Sequence, residues 1–149
     1  TTSAIVAGIF LIIVADAAEK FLPFRVPVLV DRIPGKGPAG GILTALRSSK
    51  TDAIFVVACD LPYLTRQTVL NLLDQDDGSS LILYTHQRKL EPLCGIYRKT
   101  LYPLLEARLL EGKNDLHSLA DEQEITVKKV SLDRKRTGTL RNINQPGDL

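Results

Sequence analysis

Two stretches of the chain combine residue types that could bind an anionic ligand and its metal ion. The first covers residues 53–64, AIFVVACDLPYL, where an apolar run ends at Asp60 and a turn-prone Leu-Pro pair follows. Open α/β sheets hold ligands at the carboxyl ends of their strands, so an acid in this position is a candidate ligand-binding residue. The second covers residues 31–41, DRIPGKGPAGG, in which four glycines and two prolines surround one lysine.

The chemistry that Asp60 could support is metal-assisted transfer of a nucleotide. Such a transfer moves charge between the α-phosphate and the leaving pyrophosphate, and a hard cation such as Mg²⁺, held by one or two carboxylates, neutralises that charge. The alternative is that Asp60 only caps a turn or the helix that starts near Thr65. The glycine-rich stretch upstream favours the functional interpretation, in which Asp60 is the metal ligand and catalytic residue.

The glycine-rich stretch is a candidate binding loop. Gly35, Gly37, Gly40 and Gly41 have no Cβ, so their backbone amides could approach a ligand closely. The apolar spacing predicts a helix over residues 41–48 that Gly41 would open, and a helix N-terminus favours negative charge. A flexible surface loop is the alternative, because a glycine-rich loop by itself is a weak signal. Its position between a predicted strand and a predicted helix favours binding.

Strands and helices alternate along the chain. The pattern predicts three helices, at residues 41–48, from Thr65 onward and at 101–110, the last ending at Gly112. It predicts strands at residues 4–8, 9–14, 27–30, 54–59, 80–84, 92–97 and 125–130. This alternation predicts one α/β domain over residues 1–149, with a mainly parallel sheet covered by helices on both faces.

The start of the chain contains a topological conflict. Residues 4–8 and 9–14 both have the composition of strands, but parallel strands need a crossover of a dozen or more residues, and none separates them. A tight hairpin would favour Asn-Gly or Gly-Gly at the turn, whereas the sequence has Gly8-Ile9. One long strand or a buried helix over these residues is the alternative; we expect instead that a segment is missing from the chain after Gly8.

Composition narrows the classes of function. A length of 149 residues is enough for one domain with its own core. The net charge of +2 is too small to indicate binding to nucleic acid or to an anionic membrane surface. The two cysteines form no disulfide framework, and the apolar part of residues 4–18 is too short to span a bilayer. We expect a soluble, cytoplasmic protein.

Other polar residues are weaker candidates for ligand contacts. Asp16 and Asp31 end predicted strands and could accept hydrogen bonds from a base or ribose, although isolated acids are more often solvated. Asn142 and Asn144 alternate along an extended segment, so both amides could face one polar ligand. A pair of turn asparagines is the alternative, and the spacing does not decide between them. His86 and His117 have no partner pattern and are predicted to be surface residues.

Taken in order, five segments resemble the molybdenum cofactor guanylyltransferases: AIVAG at residues 4–8, DRIPGKGPAGGILTAL at 31–46, ACDLPYL at 58–64, EPLCGIY at 91–97 and NINQPGDL at 142–149. The resemblance implies a three-layer, Rossmann-like nucleotidyltransferase fold. It also implies an enzyme that uses GTP and Mg²⁺ to add GMP to molybdopterin cofactor and releases pyrophosphate. A monomer is the expectation, with the oligomeric state left open.

The resemblance further implies roles for individual residues. Asp60 matches the Mg²⁺ ligand. The other matches are Val6, Ala7 and Gly8 at the start of the nucleotide loop, Asp16 near the guanine pocket, Asp31 as a GTP-contacting acid, Gly37 and Gly41 in the second, substrate-binding loop, and Asn142 and Asn144 on the pterin side. In the family the first loop continues through a glycine, an arginine and a lysine that clamp the triphosphate, and nothing after Gly8 resembles this. The topological conflict lies at the same place, which again indicates an omitted segment.

Three other functions remain open. A related nucleotidyltransferase that uses CTP, or one that acts on a sugar phosphate, would keep the same sheet and the same acid. A nucleotide-binding domain without catalytic activity is the second. The third is a phosphoacceptor signalling domain, which would need an acidic pair after its first strand, where this chain has Gly8.

Overall fold

The computed structural model describes residues 13–15, 28–30, 35–58 and 65–132, and for the first two ranges only the backbone. Its elements occur in the order β1 Ile13–Ala15, β2 Val28–Val30, α1 Gly37–Ser48, β3 Ala53–Val57, α2 Arg66–Asp74, β4 Leu81–His86, β5 Lys89–Arg98, α3 Tyr102–Leu110, α4 Leu116–Leu119 and β6 Val127–Ser131. A 3-10 turn, Lys99–Leu101, leads into α3. The predicted order of strands and helices is confirmed across these ranges, apart from α4, which the sequence did not predict.

The strand directions place several carboxyl ends together. β1 and β2 form a parallel pair, and β3, β5, β4 and β6 form a four-stranded sheet in that spatial order. β5 is antiparallel to both β3 and β4, whereas β6 is parallel to β4. Therefore β3, β4 and β6 all run in one direction. We call the side of the sheet on which these three strands end the carboxyl edge.

The four-stranded sheet is mixed, which differs from the mainly parallel sheet that the sequence predicts. The difference lies in β5, which follows β4 after only two residues, Gln87 and Arg88. A connection this short can only join antiparallel neighbours, because a parallel connection needs a crossover of a dozen or more residues. The α/β class is confirmed, with one strand reversed.

Helices cover both faces of the four-stranded sheet. On one face, α1, α3 and α4 pack against Leu81 and Leu83 of β4. On the other face, Leu72 of α2 packs with Ile82 and Tyr84. All four of these β4 residues are fully buried, as expected for a strand covered on both sides. The three-layer architecture is therefore confirmed.

Two helix ends follow the local signals in the sequence. The Thr65 hydroxyl accepts a hydrogen bond from the backbone N–H of Thr68 at 3.1 Å, so Thr65 is the N-cap of α2 as predicted. After α3, Gly112 has a φ of +80° and its N–H donates to the carbonyl of Leu109 at 3.1 Å. The predicted C-terminal glycine of α3 is confirmed.

No helix in the described ranges is both long enough and apolar enough to cross a bilayer.

The turn between β4 and β5 holds two non-glycine residues in the left-handed region. Gln87 has a φ of +49° and Arg88 a φ of +64°. A two-residue hairpin turn with positive φ at both positions strongly favours Asn-Gly, because most side chains are strained there. The backbone conformation of this turn is therefore unfavourable by itself, and the pairing of the surrounding strands offsets its free-energy cost.

Replacing Arg88 with glycine should stabilise the protein. We expect Arg88→Gly to raise the free energy of unfolding by about 1 kcal/mol, measured by equilibrium urea denaturation, because glycine adopts positive φ without penalty. Lys89→Gly is the matched control, since Lys89 begins β5 and is not among the described residues with positive φ. Glycine there should lower the same free energy by about 0.5–1 kcal/mol. Equal effects of the two changes would contradict strain at Arg88.

Candidate functional site

The carboxyl edge contains the end of β3, the strand that precedes the predicted catalytic acid in the sequence. β3 ends there at Val57, and the N–H of Ala58 extends the pairing by donating to the carbonyl of Leu93 at 3.0 Å. Asp60 follows two residues later in the sequence and lies outside the described residues. The structure thus places the strand that leads to Asp60, and the role of Asp60 itself stays a prediction.

Most of the other predicted site residues also lie outside the described residues, namely Val6, Ala7, Gly8, Asp16, Asp31, Asn142 and Asn144. The structure does place the strands that precede two of them. Ala15 and Val30 directly precede Asp16 and Asp31 in the sequence and are register partners at the ends of the parallel strands β1 and β2. The roles of these residues stay predictions.

The glycine-rich stretch has an unusual backbone at the start of α1. Gly35 has a φ of +82° and Gly37 a φ of +59°. A Cβ added at either position would meet no atom within 4 Å. Glycine is therefore needed at Gly35 and Gly37 for backbone conformation and not for lack of space.

The predicted start of α1 was wrong by four residues. The helix begins at Gly37, with Pro38 in its first turn, so Gly41 lies inside the helix and does not open it. Proline suits the first turn, because its missing N–H is not needed there and its φ is already helical. The buried Gly40 is also inside α1, where its carbonyl accepts a hydrogen bond from the Thr44 hydroxyl at 3.0 Å.

The N-terminus of α1 has the electrostatic character of an anion site. Lys36 occupies the N-cap position and makes no side-chain capping hydrogen bond, and the first turn contains no acidic residue. The first N–H groups of a helix have no partner within the helix and carry partial positive charge. Such an end is suited to a phosphate group.

β5 carries a bulge close to the carboxyl edge. Leu83 of β4 pairs with Gly95, but the next residue, Tyr84, pairs with Glu91. Three residues of β5 therefore have no register partner in β4: Pro92, Leu93 and Cys94. We call these three residues the β5 bulge. The signal that could have revealed it is the proline within an apolar strand segment, since proline inside a sheet marks an edge or a bulge.

The thiol of Cys94, in the bulge, is not a nucleophile. Cys94 is fully buried, and burial, with a smaller contribution from the charge of Glu91, raises the pKa of its thiol to about 12. The thiol is thus protonated at neutral pH and unreactive. His117 is exposed, as predicted, while His86 is half-buried at the end of β4.

Within the described residues, no three His, Cys, Asp or Glu side chains lie close enough together to hold a metal ion. The predicted magnesium ligand, Asp60, lies outside these ranges.

A three-layer α/β fold with a glycine-rich helix start and several strands that end at one edge is typical of nucleotide-binding domains. The family described as MobA-like NTP transferase domain matches residues 3–127, and the chain belongs to this family. The matched range includes the predicted positions from Val6 to Asp60.

Two relatives agree with this assignment, and a solved structure shares the fold. The chain is 34% identical over 141 residues to a Carboxydothermus hydrogenoformans protein described as "probable molybdenum cofactor guanylyltransferase", covering 93% of this chain and 71% of the relative. It is 33% identical over 106 residues to a Clostridium perfringens SM101 protein of the same description, and the match spans about half of that protein, 54%. A crystal structure of an Aquifex aeolicus VF5 protein superposes with a TM-score of 0.82 at 29% identity, covering 90% of this chain and 70% of that one.

A matched pair of glycine substitutions tests the backbone at the start of α1. Gly35 and Gly112 have φ values of +82° and +80°, and both face open space. We expect Gly35→Ala and Gly112→Ala to lower the free energy of unfolding by similar amounts, about 1–2 kcal/mol, as measured by thermal denaturation. A Gly35→Ala protein as stable as wild type would contradict the left-handed conformation at Gly35.

Proposed function

We propose that this protein transfers GMP from GTP to molybdopterin cofactor and releases pyrophosphate. The family match over residues 3–127 is the observation that carries the proposal. The description of the Carboxydothermus hydrogenoformans relative supports guanine as the base and molybdopterin cofactor as the acceptor. The anion-binding character of the α1 N-terminus supports a triphosphate substrate.

In the proposed reaction, the terminal phosphate of the pterin attacks the α-phosphorus of GTP in line with the leaving group. A new phosphorus–oxygen bond forms at the α-phosphorus, and its bond to the oxygen of the leaving pyrophosphate breaks. No protein nucleophile is required, which agrees with the protonated, buried thiol of Cys94. The protein contributes by positioning the two substrates and stabilising charge, and the α1 N-terminus is suited to the negative charge of the phosphates.

Asp60 is proposed to hold Mg²⁺ together with phosphate oxygens of the nucleotide. A single carboxylate combined with substrate phosphates is the donor set that Mg²⁺ prefers, and Asp60 follows the end of β3 at the carboxyl edge. When bound, the ion neutralises charge that develops on the pyrophosphate. Asp60 thereby acts as the catalytic and metal-binding residue.

The remaining proposed contacts divide between the two substrates. Val6, Ala7, Gly8, Asp16 and Asp31 are proposed to contact GTP. Gly37 and Gly41 are proposed to form part of the second, substrate-binding loop, and Asn142 and Asn144 are proposed to face the pterin. The register pairing of Ala15 with Val30 supports a shared location for the two acids that follow them. β6 ends at the carboxyl edge, which supports an approach of the later asparagines to the same site.

A cytoplasmic location is part of the proposal. It is supported by Cys94, which is buried and forms no disulfide.

Substitution of Asp60 tests the reaction directly. We expect Asp60→Ala to lower GMP transfer about a thousandfold, because loss of the metal ligand removes several kcal/mol of charge stabilisation. The measurement is pyrophosphate release with GTP, Mg²⁺ and molybdopterin cofactor, with CTP as the comparison nucleotide. Asp52→Ala is the control, since Asp52 is exposed and precedes β3 at the opposite end of the strand.

The Asp52→Ala protein should transfer GMP at the wild-type rate, and both variants should unfold within about 0.5 kcal/mol of wild type. Rapid GMP transfer by Asp60→Ala would remove this residue from the metal role. Faster turnover with CTP than with GTP would contradict the choice of guanine.

The Gly35→Ala and Gly112→Ala variants also test whether the N-terminus of α1 binds the phosphates of GTP. We expect Gly35→Ala to weaken GTP binding about tenfold in calorimetric titrations, because a displaced loop moves the first N–H groups of α1. Gly112→Ala has the same backbone strain at the end of α3 and should bind GTP as wild type does. Equal affinities in the two variants would exclude the α1 N-terminus from the nucleotide site.

A further inference from the structure

We propose that Tyr97 is a positioning residue for the transfer reaction, acting through the β5 bulge to fix the carboxyl end of β3. The inference rests on the proposed function, because it concerns the strand that leads to Asp60. Two hydrogen bonds carry it, one from the Tyr97 hydroxyl to the bulge and one from β3 to the bulge. Tyr97 is not proposed to touch either substrate.

The Tyr97 hydroxyl holds the bulge from within the core. Tyr97 is fully buried in the layer covered by α1 and α3, and its hydroxyl donates to the carbonyl of Pro92 at 2.7 Å. Pro92 has no register partner in β4, so the hydroxyl satisfies a carbonyl at the point where the β4 ladder is interrupted. Burial raises the pKa of Tyr97 above its ordinary value, so the phenol stays protonated and remains a donor.

The next residues of the bulge hold the end of β3. The carbonyl of Leu93 accepts the hydrogen bond from the N–H of Ala58 at 3.0 Å, and Cys94 is the register partner of Val57. Ala58 is the last residue that the structure describes before Asp60. Because Pro92 and Leu93 share a peptide bond, a shift of one carbonyl moves the other. Bulges beside active sites are known to direct nearby side chains in this way.

A second buried tyrosine provides a matched control. Tyr84 is also fully buried, and its hydroxyl donates to the carbonyl of Thr68 at 2.7 Å and accepts from the Asn71 amide at 3.0 Å. These bonds join β4 to α2 on the opposite face of the sheet. Tyr84→Phe therefore removes a hydroxyl at the same burial without loosening the β5 bulge.

The test compares Tyr97→Phe with Tyr84→Phe in steady-state GMP transfer and in unfolding. We expect Tyr97→Phe to lower kcat about tenfold and to leave KM for GTP within about twofold, since misplacement of the catalytic end of β3 weakens the transition state. Tyr84→Phe should lose comparable stability but keep kcat within about twofold of wild type. Equal losses of kcat in the two variants would overturn the positioning role.

Amide hydrogen exchange at Ala58 tests the link without reference to activity. We expect exchange at Ala58 to be about tenfold faster in Tyr97→Phe and unchanged in Tyr84→Phe, because only the former frees the carbonyl of Pro92. Unchanged exchange in Tyr97→Phe would overturn the inference even if kcat falls. A wild-type protein that does not transfer GMP would overturn the proposed function, while a tenfold change in exchange would still demonstrate the link between Tyr97 and Ala58.

Discussion

The close approach of β5 to β4 is the constraint on which the rest of the structure depends. At Gly95, an added Cβ would lie 2.3 Å from Cδ2 of Leu83 and 2.6 Å from the carbonyl oxygen of Ile82. Only glycine permits this spacing, because the backbone of β4 cannot yield without breaking the ladder. Since β5 pairs with β3 on its other side, the same contact sets the position of β3. The common direction of β3, β4 and β6 follows from these pairings.

The described part of the site supplies position and electrostatics rather than a reacting group. The α1 N-terminus offers N–H groups with no side-chain cap and no acid in the first turn. Within the described residues, the buried thiol of Cys94 is held in its protonated form. A sheet buried on both faces gives these features a rigid support, because close-packed interiors transmit small displacements instead of absorbing them. A protein that positions two bound substrates and supplies no reacting group of its own is suited to phosphoryl-type transfer between them.

Signals from neighbouring residues predicted the helix ends that depend on those residues. They failed at the start of α1, which depends on packing against distant parts of the chain. The N-cap at Thr65 and the glycine after α3 were predictable, since each depends on residues within one turn of the chain. The start of α1 was missed because glycine and proline favour loops. In the fold, packing of Ala39, Ile42 and Leu43 against the core outweighs that weak preference.

The sequence alone determined the order of strands and helices, the class of fold and, through its ordered motifs, the family. Apolar periodicity and short motifs can be recognised without knowing which segments meet in the folded protein. The tertiary structure decided the burial of Arg108 and the extent of the bulge at Pro92, for which the sequence offered only the proline as a signal, and it showed the reversed direction of β5. The side chain of Arg108 is only 7% exposed. Its guanidinium pairs with Glu122 and donates also to the Ser118 hydroxyl and the Asp115 carbonyl. Nothing local distinguishes this arginine from a solvated one, since its partners reach it only when α4 packs beside α3. The physical reason is the same in each case: these features exist only when segments separated along the chain satisfy one another's hydrogen bonds and fill one another's space.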